Sequence, residues 1–597
     1  MAGRMSTARD DVNPEYRFDL TRIFASPAEW EDAAAALREA LDALESSADR
    51  SLDTAADLRA LLERVEDCYR RKQRLDLYAT LYGNVNTESE EADDLQRQFR
   101  TLESAFEPAV GSALRRLRET DADRLDAFVA ELDDDYRRYA EHLRERAERV
   151  RSPDAEEAIA AHGEARSAPT RVIREVTTED FDPASVERPD GTEVALRYGN
   201  YREEVTHPNR DYRRRVYETY REEFDRFENV LARAYAEKLA AASTEVEVRG
   251  YDSIRDRDFR ETYPESGLEP NLPGAVHDAM LSAVRDNLGP YHRAQSVRRE
   301  RLGVAELRPW DLNVSIADAP DPEVPYDEAK ADVLGALEPL GEEYVSRARS
   351  FFEERRIDAF PTRNKRTDIP AYCPSSAEDG AFVLANYRED ARTASYVCHE
   401  LGHALNAAYY SEGPTRYATC PTAICEIPSI LHEILLAEYW LEEGGALAAH
   451  AKNRLLEFLG GNLYGSAMGS AFDHRLATAV EDGESLSAER IREVYADLLG
   501  EFRPDVVYED RAGRNWLGRG LRPPYSSFQY VLGATGALVV RDRLREGSLT
   551  PAEYRDFLRN TGQRDLLDQF DALGVDVTSA DPYERAAEAF AGYLEEF

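Results

Sequence analysis

Apolar residues recur at three- and four-residue spacing through most of this chain, and that period dictates helices. AEWEDAAAALREALDALES, LRALLERVEDCYRRKQRLDLYATLY and ADDLQRQFRTLESAFEPAVGSALRRLRE all carry it, with charges filling the positions between. Gly and Pro are scarce from Ala28 to about Ala161, so this stretch reads as antiparallel helices with short connections. The period resumes from Asp211 to about Phe352 and again from Ala394 to the carboxyl end. Two interruptions predict short strands. Between Thr177 and His207, Asp182-Pro183, Pro189-Asp190-Gly191 and Gly199-Asn200 bracket short runs such as Glu193–Leu196. Between Arg356 and Asn386 the chain is punctuated by Pro361, Pro370, Pro374 and Gly380. The Pro-rich DAPDPEVPYDE reads as a loop, and no fixed-period repeat suggests a solenoid. Single cores stop growing near roughly 250–300 residues, so 597 residues imply at least two lobes. The expected fold class is mainly α, two-lobed, with a few short β-strands. An N-terminal helical lobe with a small β-containing crossover is expected over 1–200, and a catalytic region over 201–597.

Charge excludes several function classes. Asp and Glu number 117 against 76 Lys and Arg, a net charge of −41, which repels nucleic acid phosphates and anionic lipids. No apolar run approaches the roughly 18 residues of a membrane span, and MAGRMSTARDDVNPEY lacks the apolar stretch of a secretory signal, so a cytoplasmic protein is expected. Only five of the cations are Lys (72, 238, 330, 365 and 452). Excess carboxylate with Lys nearly eliminated fits a halophilic protein, because screening over about 3 Å at 1 M salt makes self-repulsion tolerable. An acidic mesophile with an Arg-favouring genome is the plainer alternative. Cys68, Cys373, Cys398, Cys420 and Cys425 are too sparse for a disulfide scaffold. Cys420 and Cys425 raise soft-metal ligation, against which stands the absence of any CxxC pair.

SYVCHELGHALNAAYY holds H-E-x-x-H at His399, Glu400 and His403. Residues four apart share a helix face, so both imidazoles can reach one Zn2+ ion, with Glu400 beside it as proton acceptor. The plain alternative is two histidines at helical spacing with no metal. A catalytic zinc needs a third protein ligand. Six residues past His403 stands Tyr409, which rules out the short H-x-x-G-x-x-H extension. The next candidates lie in CPTAICEIPSILHEILLAEYW, where Glu426 and Glu433 are seven apart on one face of an apolar helix. Buried carboxylates need compensating charge, so Glu426 is expected on the metal and Glu433 one layer out, on a ligand imidazole. A buried Glu–Arg pair is the competing reading for either acid. His432 points away from the Glu426 face. Pro428 cannot donate a backbone hydrogen bond, so this helix either starts near Glu426 or kinks there.

These motifs resemble the oligoendopeptidase F branch of the thimet-oligopeptidase-like zinc metallopeptidases, over nearly the whole chain. FDLTRIFASPAEWEDA resembles that family's opening, and RNKRTDIPAYC with FVLANYREDARTASYVCHELGHA its approach to the metal helix. CEIPSILHE resembles the segment carrying its glutamate ligand, with Glu426 and Glu433 at the matching places, and AFDHRLATAVEDGESLSAERIREVYADLLGEF the helices that follow. The resemblance implies a clamshell-like helical fold with zinc deep in a central channel that admits unfolded oligopeptides, and a role in cytoplasmic peptide turnover. It also implies a carboxyl-terminal segment whose histidine and tyrosines bind substrate and the developing oxyanion. Here that segment is NWLGRGLRPPYSSFQYVLGATGALV, which keeps Trp516, Phe528 and Ala534-Thr535-Gly536 but contains no histidine. Tyr525 and Tyr530 are its available phenols for catalysis and substrate binding, and Arg519 or Arg522 its available cations. The expected activity is endopeptidase hydrolysis of short unfolded oligopeptides by Glu400-activated water. Aminopeptidase chemistry, and a peptide-binding or scaffolding protein with weak catalysis, are the alternatives.

Overall fold

The computed structural model describes the chain apart from residues 1–6, 48–49, 150, 153–154, 156–157, 160–161, 262–271, 317–321, 415–419, 510–515, 518 and 596–597. Part of the expected DAPDPEVPYDE loop lies outside the described residues. Five helices open the chain: α1 (Pro27–Ser46), α2 (Ala55–Val85), α3 (Glu90–Glu119), α4 (Ala122–Glu131) and α5 (Asp134–Arg149). Their starts follow local chemistry. Ser26, Thr54, Ser89 and Asp121 each accept a hydrogen bond from a first-turn amide, and Thr54 with Asp57 closes a reciprocal capping box. Their apolar stripes meet in one core that runs in sequence from Phe18 to Ala147.

A second, larger core begins at Ile173 and runs to Leu594. Residues 173–181 therefore pack with the carboxyl-terminal body, not with the opening helices. The expected β element forms beside it: β1 (Val186–Glu187) pairs antiparallel with β2 (Glu193–Val194). Val186 then packs with Val205, Tyr212, Val216 and Trp310 in a small satellite core. The long helix α6 (Arg210–Arg249) follows, capped by the Asn209 side chain and stopped by Gly250 in the left-handed region at φ 77°.

The punctuated stretch expected to hold strands contains β3 (Ile357–Asp358), β4 (Ala371–Tyr372), β5 (Ser375–Ser376), β6 (Gly380–Ala381) and β7 (Val383–Ala385). The order is β3-β7-β4, with β3 parallel and β4 antiparallel to β7, and β5 and β6 form a hairpin. Residues 381–385 form a wall between the two large cores, because side chains alternate along extended chain. Ala381, Val383 and Ala385 face the larger core, while Phe382 and Leu384 face the N-terminal one. Lys365 pins this sheet from inside. Its Nζ donates to the carbonyls of Asp358 (3.1 Å), Phe360 (2.8 Å) and Ala385 (2.5 Å), and pairs with the buried Asp358 carboxylate at 2.8 Å.

Four more helices frame the motif region: α7 (Glu342–Glu353), α8 (Ala391–Tyr410), α9 (Thr422–Glu443) and α10 (Gly445–Leu459). α9 starts at Thr422 with Pro421 as its cap, so Pro428 lies inside the helix, one turn and a half from its start. α8 and α9 cross closely. A Cβ on Gly402 would stand 2.5 Å from the Ser429 Cα and 2.8 Å from the Pro428 carbonyl, both backbone atoms that cannot swing aside. His432 fastens the same pair of helices. It sits between the Cys398 carbonyl (3.0 Å from Nδ1) and the Tyr344 hydroxyl of α7 (2.8 Å from Nε2). Nδ1–H donates to the carbonyl and the Tyr344 hydroxyl donates to Nε2, the pattern of a neutral ring. Complete burial pushes its pKa down to about 3, against the pull of the Cys398 carbonyl.

Two outcomes follow from this crossing. Gly402→Ala forces the helix axes apart and is expected to cost about 1–3 kcal/mol, read as a lower denaturation midpoint; an unchanged midpoint would contradict the close contact. His432 links stability to acid. Below pH 6.5 the unfolded chain binds a proton that the folded one refuses, so stability drains from 6.5 down towards 3, and no slope arises above 6.5. His432→Gln should flatten that limb by up to about 1.4 kcal/mol per pH unit, measured as the difference between wild-type and variant unfolding curves across that range.

Candidate metal centre

α8 begins where Asp390 accepts a hydrogen bond from the Thr393 amide, and it carries His399, Glu400 and His403 into the larger core. The two Nε2 atoms lie 3.2 Å apart. Glu426, from the second turn of α9, brings one carboxylate oxygen within 3.6 Å of His399 Nε2 and the other within 3.9 Å of His403 Nε2. One donor atom from each of these three residues lies within 4.8 Å of the others. Glu426 is fixed on its far sides: Ser429 Oγ donates to its Oε2 at 3.1 Å. Beyond α11 (Ser466–Glu481) in the chain, α12 (Phe528–Glu546) runs behind it, where a Cβ on Gly533 would stand 2.6 Å from the Glu426 Cβ.

Glu433 supports this set from below. One oxygen lies 2.9 Å from His399 Nδ1, at ion-pair distance though off hydrogen-bond alignment. The other accepts from Arg454 Nε of α10 at 3.0 Å. Arg454 in turn lies over the rings of Phe458 and Tyr396. Burial opposes charge on Glu433, yet Arg454 and His399 outweigh it and hold its pKa below the usual carboxylate range. Burial likewise opposes charge on His399, but Glu433 and Glu426 raise it to about 9. Glu400 is pushed up to about 7 by burial; His399 opposes this, and Glu426 and Glu433 add to it. A carboxylate on Nδ1 leaves the Nε2 lone pair of His399 turned to the centre. Two imidazole nitrogens and one carboxylate oxygen, converging among an excess of buried carboxylate, suit a divalent cation of the zinc type.

The two phenols part company. Tyr530, in the first turn of α12, is half-buried; burial raises its hydroxyl pKa, with Glu426 adding to the rise and Arg522 opposing it. Tyr525 is held elsewhere. Its backbone is left-handed at φ 57°, its hydroxyl sits 2.9 Å from His474 Nδ1, and its ring packs on Phe259 and His277. The loop leading to α12 is clamped by Lys238 of α6, whose Nζ donates to the carbonyls of Gly520 (2.8 Å) and Arg522 (2.6 Å). The Arg519 guanidinium lies over Phe472 and is a charge neighbour of Asp473.

Sequence reasoning missed Arg454, Ser429 and Lys238. Arg454 and Lys238, 21 and 282–284 positions from their partners, leave no periodic trace, whereas Ser429 shares a helix face with Glu426 and was legible from its spacing. It also missed how thiols crowd this centre. Cys425 contacts both Cys420 and His403, and the Cys373 thiol, pushed up by burial, has Glu400 and Cys425 as neighbours. All five cysteines are free thiols, and no three-residue metal cluster among the described residues includes one. A second such cluster, His277, Asp278 and His474, already has a cation: Arg255 Nη1 lies 2.6 Å from Asp278.

Comparison with known proteins agrees with this architecture. Oligopeptidase PepF of Bacillus subtilis is 25% identical over 98% of this chain and 88% of its own length. Group B oligopeptidase PepB of Streptococcus agalactiae is 25% identical over 99% and 98%. In three dimensions the chain resembles oligoendopeptidase-F from Enterococcus faecium, with TM-score 0.70, 22% identity, and coverage of 95% of this chain and 98% of that one. It also resembles PZ peptidase A, with TM-score 0.72, 16% identity, and coverage of 95% and 97%. Peptidase family M3 matches residues 205–589, a span that includes α8, α9 and α12. The chain therefore belongs to peptidase family M3, in its oligoendopeptidase F branch, and is a metalloendopeptidase.

Proposed function

We propose that the chain is a zinc-dependent endopeptidase that hydrolyses internal bonds of short, unfolded oligopeptides. The observation that carries this reading is the convergence of His399 Nε2, His403 Nε2 and the Glu426 carboxylate, with Glu400 on the same helix. These three residues would hold the ion. When bound, zinc acidifies a water molecule and polarises the scissile carbonyl. Glu400 contributes a carboxylate with no other role in the centre: it accepts the proton of the attacking water on a carboxylate oxygen and returns it to the leaving amine nitrogen. Glu433, backed by Arg454, keeps the His399 ring in register. Tyr530 is the phenol we assign to the oxyanion, since its hydroxyl is neighbour to Glu426 and Glu400. Tyr525, whose hydroxyl is engaged by His474, is assigned to holding the loop and not to contact with substrate.

The setting we infer is an intracellular, salt-rich one, on the strength of the −41 net charge and the five lysines. No helix among the described residues is long and apolar enough to cross a membrane. The substrate class follows from the family and from a centre sunk among buried helices, where an extended peptide fits better than a folded domain.

The test is metal content together with cleavage of internally quenched peptides whose amino termini are blocked, in high salt. One zinc per chain and loss of cleavage on chelation are expected. Glu400→Gln should keep the metal and lower kcat/KM by about 10²–10⁴; full activity in that variant would remove Glu400 from the mechanism. Glu433→Gln should weaken metal affinity by about 10–100-fold, checked by competition with a chromophoric chelator. Undiminished peptide binding with no cleavage in the wild type would instead favour a binding protein.

A further inference from the structure

α12 begins without a side-chain cap. Ser527 stands at its N-cap in helical backbone geometry, and its hydroxyl accepts from no first-turn amide. Nothing local therefore holds the turn that carries Tyr530. That turn needs a fixed place. Gly533 is in close contact with Glu426, where an added Cβ would stand 2.6 Å from the Glu426 Cβ. Tyr530 lies one turn earlier on the same face of α12, so the helix itself sets it beside Glu426.

The hold on this turn comes from outside the helix. Three residues before it, Tyr525 takes left-handed backbone at φ 57°, which a bulky side chain adopts only where its surroundings impose it. Its hydroxyl is hydrogen-bonded to His474 Nδ1 of α11 at 2.9 Å. Its ring packs on Phe259, His277 and His474, with centroids 5.8, 5.5 and 5.9 Å away. Phe259 and His277 also hold Phe528, the first residue of α12, at 4.6 and 5.9 Å. The chain is thus clasped on both sides of the helix start. His474 is fixed in turn. Its ring meets His277 edge to face at 5.2 Å, and His277 Nε2 lies 2.8 Å from the Ser470 hydroxyl, one turn back on α11. Ring contacts tolerate sliding, whereas the bond from His474 gives the Tyr525 hydroxyl a direction.

We propose that His474 is a positioning residue: through the Tyr525 hydroxyl it sets the start of α12, and thereby the place of Tyr530 beside Glu426. The inference rests on the assignment of Tyr530 to the oxyanion only for its effect on turnover. His474 acts through Tyr525 and Tyr530, not on the substrate.

The experiment uses the full, metal-loaded chain and one blocked, internally quenched peptide. Tyr530→Phe should lower kcat by about 10²–10³. Tyr525→Phe keeps the ring and loses only the hydroxyl; it should lower kcat about 10–100-fold, with KM and metal content retained. In a Tyr530→Phe background the same change should cost almost nothing, because the hydroxyl it positions is gone. His474→Asn, whose amide can stand where Nδ1 stood, should keep most of kcat, and His474→Leu should not. Amide hydrogen exchange over residues 525–531, read by mass spectrometry, should quicken about tenfold in Tyr525→Phe and His474→Leu. Where Tyr530→Phe costs activity, full kcat in Tyr525→Phe, or a loss of equal size in both backgrounds, overturns the proposal. Where Tyr530→Phe costs nothing, the oxyanion assignment falls instead and exchange decides. Faster exchange in His474→Leu then keeps His474 as the residue that sets the helix start, and unchanged exchange overturns it.

Discussion

The close crossing of α8 and α9 at Gly402 is the contact on which the centre depends. His399 and His403 belong to one helix and Glu426 to another, and helix axes normally lie 8–10 Å apart. Side chains of these lengths meet around one point only if the backbones approach at the lower end of that range. Gly402 presents no side chain to the Pro428–Ser429 backbone, which makes the approach possible. Gly533 and Gly536 let α12 press against Glu426 and Ile427 of α9 in the same way. The helix bearing Glu426 is thus held between two glycine-lined neighbours, one of which carries Tyr530. Pro428 belongs to this arrangement. Lacking an amide hydrogen it leaves the Ile424 carbonyl without its usual donor, while its own carbonyl forms part of the surface that Gly402 meets.

The electrostatics are organised around the same point. Glu433 and Arg454 form a buried pair, close to neutral as a unit. That leaves Glu400 and Glu426 as acids facing two imidazoles in a site of low dielectric, where unpaired charge is costly. Burial lifts Glu400 against the pull of His399, while Glu433 and Glu426 lift His399 against its burial. A donor set with surplus negative charge and two lone-pair nitrogens accommodates a dication in a way that a purely structural helix pair would have no reason to keep.

What could be read from the sequence was whatever has a period. The helices, the H-E-x-x-H face and the seven-residue step from Glu426 to Glu433 all rest on 3.6 residues per turn. The two irregular stretches were recognisable as strands from their turn residues, but the double allegiance of 381–385 was not, because both of its faces are apolar and alternation is invisible there. Pro428 allowed two readings, and the structure starts the helix at Thr422 and carries it through the proline. Tyr525 and Tyr530 were indistinguishable as residues five apart beside two prolines. What separates them is a left-handed backbone at Tyr525 and a histidine 51 positions away, neither of which leaves a local trace. His474 reaches the carboxyl-terminal segment from the helix at Ser466–Glu481, but on Tyr525 and not on Tyr530.

The lysine scarcity, first met as a compositional oddity, acquires a physical sense in three dimensions. Two of the five lysines of this chain are hubs for backbone carbonyls. Lys365 Nζ reaches three backbone carbonyls and the Asp358 carboxylate inside the sheet. Lys238 Nζ reaches two carbonyls of the loop that precedes α12, where burial lowers its pKa to about 8 against the charges of Asp473 and Asp258. A compact ammonium can direct its three hydrogens at oxygens arranged around a point, whereas a guanidinium spreads its five donors across a plane. Both lysines thus act as hubs for irregular backbone, a duty that Arg213 also takes with the carbonyls of His207, Pro208 and Trp310. One of these lysines holds the sheet between the two cores, and the other holds the loop that precedes α12.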